Sequence, residues 1–115
     1  METYKSFYLT DSDSLAVAEL SIMYPEVLTD LNLKSGTWWF FNRLRVPLKI
    51  RGRGHARTLL GQLREWAISN RFNIFNAVNP YDGSDIDRLI KLYEEFGFVR
   101  LLTLDSDSII MTLET

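Results

Sequence analysis

The chain contains no cysteine and one histidine among 115 residues, and only six glycines and three prolines. Without cysteine it can form no disulfide, thiolate zinc site or iron–sulfur cluster, and it offers no thiol nucleophile. With His55 as the lone imidazole, a multi-histidine metal centre is excluded, and no metal is expected. The few glycines and prolines form no linker, repeat or low-complexity tract. No apolar run approaches the roughly 18–20 residues that cross a bilayer. Met1-Glu2-Thr3-Tyr4-Lys5 also lacks the charged and apolar regions of a secretory signal. These absences predict a soluble, cytoplasmic protein without membrane partners. What remains is 46% hydrophobic and 13% aromatic, on a length that suits one core, so residues 1–115 are expected to form a single domain.

The net charge of −2 hides a segregation. Residues 1–30 carry six acids against Lys5, and residues 65–115 carry nine acids against four bases. Between them, residues 38–64 hold Arg43, Arg45, Lys49, Arg51, Arg53, Arg57 and Arg64 with no acid at all. A basic island in an acidic chain favours a polyanion: a phosphate ester, a nucleotide cofactor or nucleic acid. A solvated surface block is the plainer alternative.

Tyr4–Thr10 reads as a strand, followed by the turn formers Asp11-Ser12-Asp13-Ser14 and a second strand over Leu15–Met23. Residues 25–36 fit either a short helix or a strand. Trp38-Trp39-Phe40-Phe41 puts rings on both faces of an extended segment, the pattern of a central strand covered on both sides, which runs to Val46 and stops near Pro47. Ala56, Leu59, Leu60, Leu63, Trp66 and Ala67 then recur at helical spacing up to Asn70. Asn73–Val78 is a further strand. Ser84 is the expected N-cap of a helix carrying the stripe Ile86, Leu89, Ile90, Tyr93 and Phe96, with Gly97 as its left-handed end. A hairpin of Phe98–Leu104 and Ser108–Leu113 around Asp105-Ser106-Asp107 closes the chain. This order predicts an α/β (α+β) fold, with helices on a mostly antiparallel sheet that contains a parallel pair.

The stretch Arg51-Gly52-Arg53-Gly54-His55-Ala56-Arg57 joins the central strand to a helix. Glycines allow a tight turn, and the first helix amides have no internal acceptor, so they face whatever lies in front of them. Phosphate suits that position, and arginines add charge to it. No Walker A Gly-Lys-Ser/Thr is present, and the dinucleotide-binding pattern lacks both its third glycine and its downstream acid.

Arg51-Gly52-Arg53-Gly54-His55-Ala56 resembles the pyrophosphate-binding signature Q/R-x-x-G-x-G/A of the GNAT superfamily of N-acetyltransferases. Leu44-Arg45-Val46-Pro47 is similar to that family's preceding strand end. Tyr93-Glu94-Glu95-Phe96-Gly97-Phe98 is similar to its second signature, Tyr-Glu-x-x-Gly-Phe. The resemblance covers residues 37–104 well and the first 36 poorly. It implies a GNAT-like mixed sheet with a splayed parallel strand pair, acetyl-CoA as cosubstrate and a primary amine as acceptor. The pyrophosphate would sit on the Gly52–Arg57 turn, with the amides of Arg53, Gly54, His55, Ala56 and Arg57 facing it beside Arg51. Backbone groups of Leu44 and Val46 would hold the pantetheine arm, and Asn79 would line the cleft or form a turn. His55 would contribute its backbone.

The resemblance makes Tyr93 the general acid for the leaving thiolate, although the same residue also fits a core stripe. A free alkyl amine with a pKa of about 10.4 is neutral about once in 2,500 molecules at pH 7, so a base or a water chain is needed. Glu19, Glu26 and Asp82 are bases by chemistry alone. Two departures stand out. Ile86 occupies the position where many relatives carry asparagine. Residues 10–15 also leave room only for a turn where the family usually places two acceptor-binding helices. The acceptor site would then be open, formed from residues 25–36 and 79–84, or completed by a second subunit in a homodimer. Two other readings stay open: a non-catalytic GNAT-fold module that binds CoA or a protein, and, less favoured, a nucleic-acid binder using the basic island at 43–64.

Overall fold

Strands β1 (Tyr4–Tyr8), β2 (Val17–Ile22), β3 (Thr37–Arg45), β4 (Phe72–Val78), β5 (Val99–Thr103) and β6 (Ile109–Leu113) form one sheet in the order β1-β2-β3-β4-β6-β5. Helices α1 (Pro25–Asp30), α2 (His55–Asn70) and α3 (Ile86–Glu95) complete the architecture. The computed structural model describes residues 2–8, 16–47, 52, 54–78, 85–103 and 109–115. Every strand pair is antiparallel except β3 and β4. This is the mixed sheet expected from the order of elements.

The doubled aromatics of β3 place it at the centre. Trp39 and Phe41 are buried among residues of α2 and α3, whereas Trp38 is buried on the opposite face with Met23, Phe75 and Ile110. The helical stripe of α2 is equally direct: Leu59, Leu60, Leu63 and Ala67 have no exposed surface. Each such leucine contributes roughly 1.5–3 kcal/mol by leaving water. The segment whose pattern was ambiguous folds as α1, because Pro25 supplies a preset φ at the first helical position and Tyr24 stays extended before it. Among the described residues, no helix is long and apolar enough to cross a membrane.

Some boundaries differ from those expected. The N-cap of α3 is Asp85, whose Oδ1 accepts from Asp87 N at 2.9 Å. An Asp caps as well as a Ser, and Ser84 lies outside the described residues, as do the turns at 11–14 and 105–107. Phe98 is buried and ends α3 rather than starting a strand. Its N–H donates to Tyr93 O at 3.2 Å, and Gly97 N donates to Glu94 O at 3.1 Å. With Gly97 at φ +94°, this is the Schellman arrangement that satisfies the last carbonyls of a helix. Its usual hydrophobic contact is the Tyr93–Phe98 ring pair, with centroids 5.6 Å apart. The Tyr-Glu-x-x-Gly-Phe run is therefore a helix stop that fixes the ring of Tyr93.

Candidate functional site

The parallel pair is short. Thr37, Trp38, Trp39 and Phe40 pair with Phe72, Asn73, Ile74 and Phe75, and there the ladder stops. Both strands continue, but apart: β3 stays with β2 as far as Val17↔Arg45, and β4 stays with β6 as far as Val78↔Ile109. The sheet forks between them. On β3 the register against β2 shifts so that Asn42 has no opposite residue. This bulge reverses the alternation, and Leu44 and Val46 pack against the same core as Trp39 and Phe41. Both are half-buried along one arm of the fork. Ser21 Oγ donates to Asn42 Oδ1 at 3.0 Å on the bulge.

The glycine junction leads from this arm into α2. Gly52 and Gly54 adopt φ +82° and +79°, and a Cβ at either would meet nothing within 4 Å. The requirement for glycine there is conformational, and the space beside both residues is open. Gly54 is the N-cap and gives no side-chain cap, and no acid stands in the first turn of α2. The amides of His55, Ala56 and Arg57 thus have no intrahelical acceptor and face outward with the positive end of the helix dipole. The Arg57 side chain turns elsewhere: it makes a two-pronged ion pair with Glu95 of α3, both bonds 3.1 Å. Only its backbone is available to the junction. Arg51, Arg53 and Asn79 lie outside the described residues.

Tyr93 projects from α3 into the core, 7% exposed, with its ring edge-on to Phe41 at 6.0 Å. Since Phe41 is the first β3 residue past the last β3–β4 pair, Tyr93 lies at the base of the fork. Of the acids considered as bases, Glu19 is unsuited. Hydrogen bonds from Arg43 at 2.9 Å and from Tyr4 hold its carboxyl below the usual glutamate range. The same bond raises the Tyr4 phenol. Glu26 is exposed on the first turn of α1, and Asp82 lies outside the described residues. No group of three or more potential metal ligands occurs among the described residues. A separate cavity of about 270 Å³, lined by Glu2, Thr37, Trp66 and Phe72 among others, lies where β3 and β4 begin, at the far end from the fork.

Sequence reasoning missed the bulge at Asn42, the Arg57–Glu95 pair and one buried polar group of β4, Asn76. The only signal for Asn76 was an amide residue inside an apolar strand.

No protein-family model matches the chain, and no curated protein sequence matches it at a significant level. Solved structures do. A protein assigned to the GNAT family of acetyltransferases from Desulfovibrio desulfuricans superposes with a TM-score of 0.69 at 18% identity, over 97% of this chain and 69% of that one. Arabidopsis thaliana NAA60, in complex with acetyl-CoA, gives 0.64 at 19% identity, over 88% and 66%. The anti-CRISPR protein AcrVA5 gives 0.67 at 15% identity, over 98% of this chain and 100% of its own. The fold is therefore that of the GNAT acetyltransferases, as the two signatures implied.

Proposed function

We propose that this chain is an acetyl-CoA-dependent N-acetyltransferase acting on a primary amine. The observation that carries the reading is the fork between β3 and β4, which opens towards a helix N-terminus built on two left-handed glycines. The residues present fit an extended ligand that ends in phosphates. The free amides of His55, Ala56 and Arg57, with those of Gly52 to Gly54, would take the pyrophosphate. Arg51 and Arg53 would add charge beside it. Backbone groups of Leu44 and Val46 would hold the arm and polarise the acetyl carbonyl. That arrangement assigns the centre of the basic island to a cosubstrate, while Arg43 and Arg57 are already paired with Glu19 and Glu95.

Acetyl-CoA supplies an activated acyl carbon: as the amine N–C bond forms, the C–S bond breaks, the amine loses a proton and the thiolate gains one. Tyr93 Oη supplies that last proton from the base of the fork. Its burial against Phe41 and Phe98 orients the phenol and keeps bulk water away. With Glu19 engaged by Arg43, a water chain takes the proton from the amine. Asn79 would flank the same cleft. The single domain, the cytoplasmic setting and the homodimer belong to the same proposal.

Calorimetric titration with acetyl-CoA tests the reading, and absence of heat and of thermal stabilisation at millimolar ligand would sink it. Given binding, Tyr93→Phe should lower the rate of thiol release at least tenfold with the acetyl-CoA Kd unchanged; an equal rate would return Tyr93 to a packing role. One observation favours the non-catalytic module as a second reading. β1 pairs directly with β2 and only eight residues separate them, too short a connection for the two helices that would shape an acceptor pocket. That alternative expects acetyl-CoA binding with no thiol release on any amine, peptide or aminoglycoside.

A further inference from the structure

The strand β4 reads Phe-Asn-Ile-Phe-Asn-Ala-Val, and two asparagines in an apolar central strand both need partners, because a buried amide gives up its water. Asn73 is satisfied: its Oδ1 accepts from Thr115 N at 2.9 Å. Asn76 is not. It is 4% exposed, and its Nδ2 makes no hydrogen bond. Among the described residues one other buried side-chain donor is in this state, Trp39 Nε1. Trp39 sits within the paired part of the ladder, packed edge-on against Trp66, and lines the separate cavity at the far end from the fork. Asn76 stands one residue past the last β3–β4 pair, where β4 has lost its neighbour on the β3 side. Its cross-strand partner on β6 is Met111, a residue of the α2 and α3 core. The amide therefore faces the same side of the sheet as Phe41 and Tyr93.

We infer that Asn76 is a binding residue whose Nδ2 donates a hydrogen bond to a carbonyl oxygen on a ligand arm entering the fork. The inference rests on the acetyl-CoA reading and deepens it. The pantetheine arm carries amide carbonyls along its length and a thioester carbonyl at its end, and an unpartnered buried donor is the complement of such a group. A residue kept polar for folding would have an internal partner, as Asn73 has. The Nδ2 of Asn76 has none, so this donor should weaken the free protein and strengthen the complex.

Those opposite signs define the test. Asn76→Leu, which keeps the branching at Cγ and removes both polar atoms, should raise the melting temperature of the ligand-free protein by a few degrees while weakening acetyl-CoA about tenfold by calorimetry. In the wild-type protein the side-chain amide resonances of Asn76 should shift on titration with acetyl-CoA, a readout that does not depend on the variant folding. CoA as a second probe locates the contact: equal losses for both ligands assign an amide carbonyl of the arm, and a loss confined to acetyl-CoA assigns the thioester. Unchanged affinity in the variant, or unmoved amide resonances in a wild type that binds, would overturn the role of Asn76 alone. A wild type that binds neither ligand would overturn the acetyl-CoA reading as well.

Discussion

Gly97 does two things at once. Its φ of +94° closes α3, and a Cβ there would lie 3.2 Å from Leu113 Cδ1 and 3.6 Å from Arg64 Nε. Gly97→Ala should therefore cost about 1–3 kcal/mol, read as a lower urea midpoint at constant slope; an unmoved midpoint would mean that the turn relaxes freely. Glu19 makes the pH prediction. Its carboxyl is held low by Arg43 and then by Tyr4, so the stability it contributes is full above the ordinary glutamate value of about 4.3 and is lost as pH falls through the depressed folded value. Wild type should lose more stability than Glu19→Gln between about pH 5 and pH 3 in thermal melts, and parallel curves would remove Glu19 from that account. At this scale the sequence was partly legible. Gly52, Gly54 and Gly97 announced themselves because left-handed backbone leaves little choice of residue. Asn76 and Arg57–Glu95 did not, because a lone amide has no spacing signature and the ion pair joins residues 38 apart.

Helices α2 and α3 were legible to within a residue because their apolar stripes recur at a fixed period, whereas the six residues of α1 are too few to tell a helix from a strand by period. The stripe of α2 names its buried residues directly, and Leu63, with no exposed surface, should cost about 2–5 kcal/mol on truncation to Ala in chemical denaturation. A smaller loss would mean that neighbours collapse into the space. The cap of α3 moved from Ser84 to Asp85 because adjacent residues with equal capping chemistry cannot be ranked from the sequence. The bulge at Asn42 was invisible for a different reason. It depends on which residue of β2 faces which residue of β3, and pairing register is a property of two strands, whereas periodicity belongs to one. That bulge nonetheless matters most for the candidate site, since it turns Leu44 and Val46 onto the core face along one arm of the fork.

For the molecule as a whole, the two signatures pointed to the GNAT fold because both sit where backbone geometry is most constrained, at the start of one helix and the end of another. The first strands carried no such signature, but the turn formers between them left room only for a turn, and the two strands do pair directly. The four-pair seam between β3 and β4 bears on how the chain folds. On one side of it β1, β2 and β3 are neighbours in sequence, whereas on the other side β4 pairs with β6 across α3 and β5. The seam likewise demands a long crossover, with α2 as its bridge. Loop closure of that kind is entropically the most expensive step, and contacts of large sequence separation form late. Truncation of Leu63, on the bridge, should accordingly slow refolding, whereas Val99→Ala on the exposed outer strand should leave the refolding rate unchanged in stopped-flow traces.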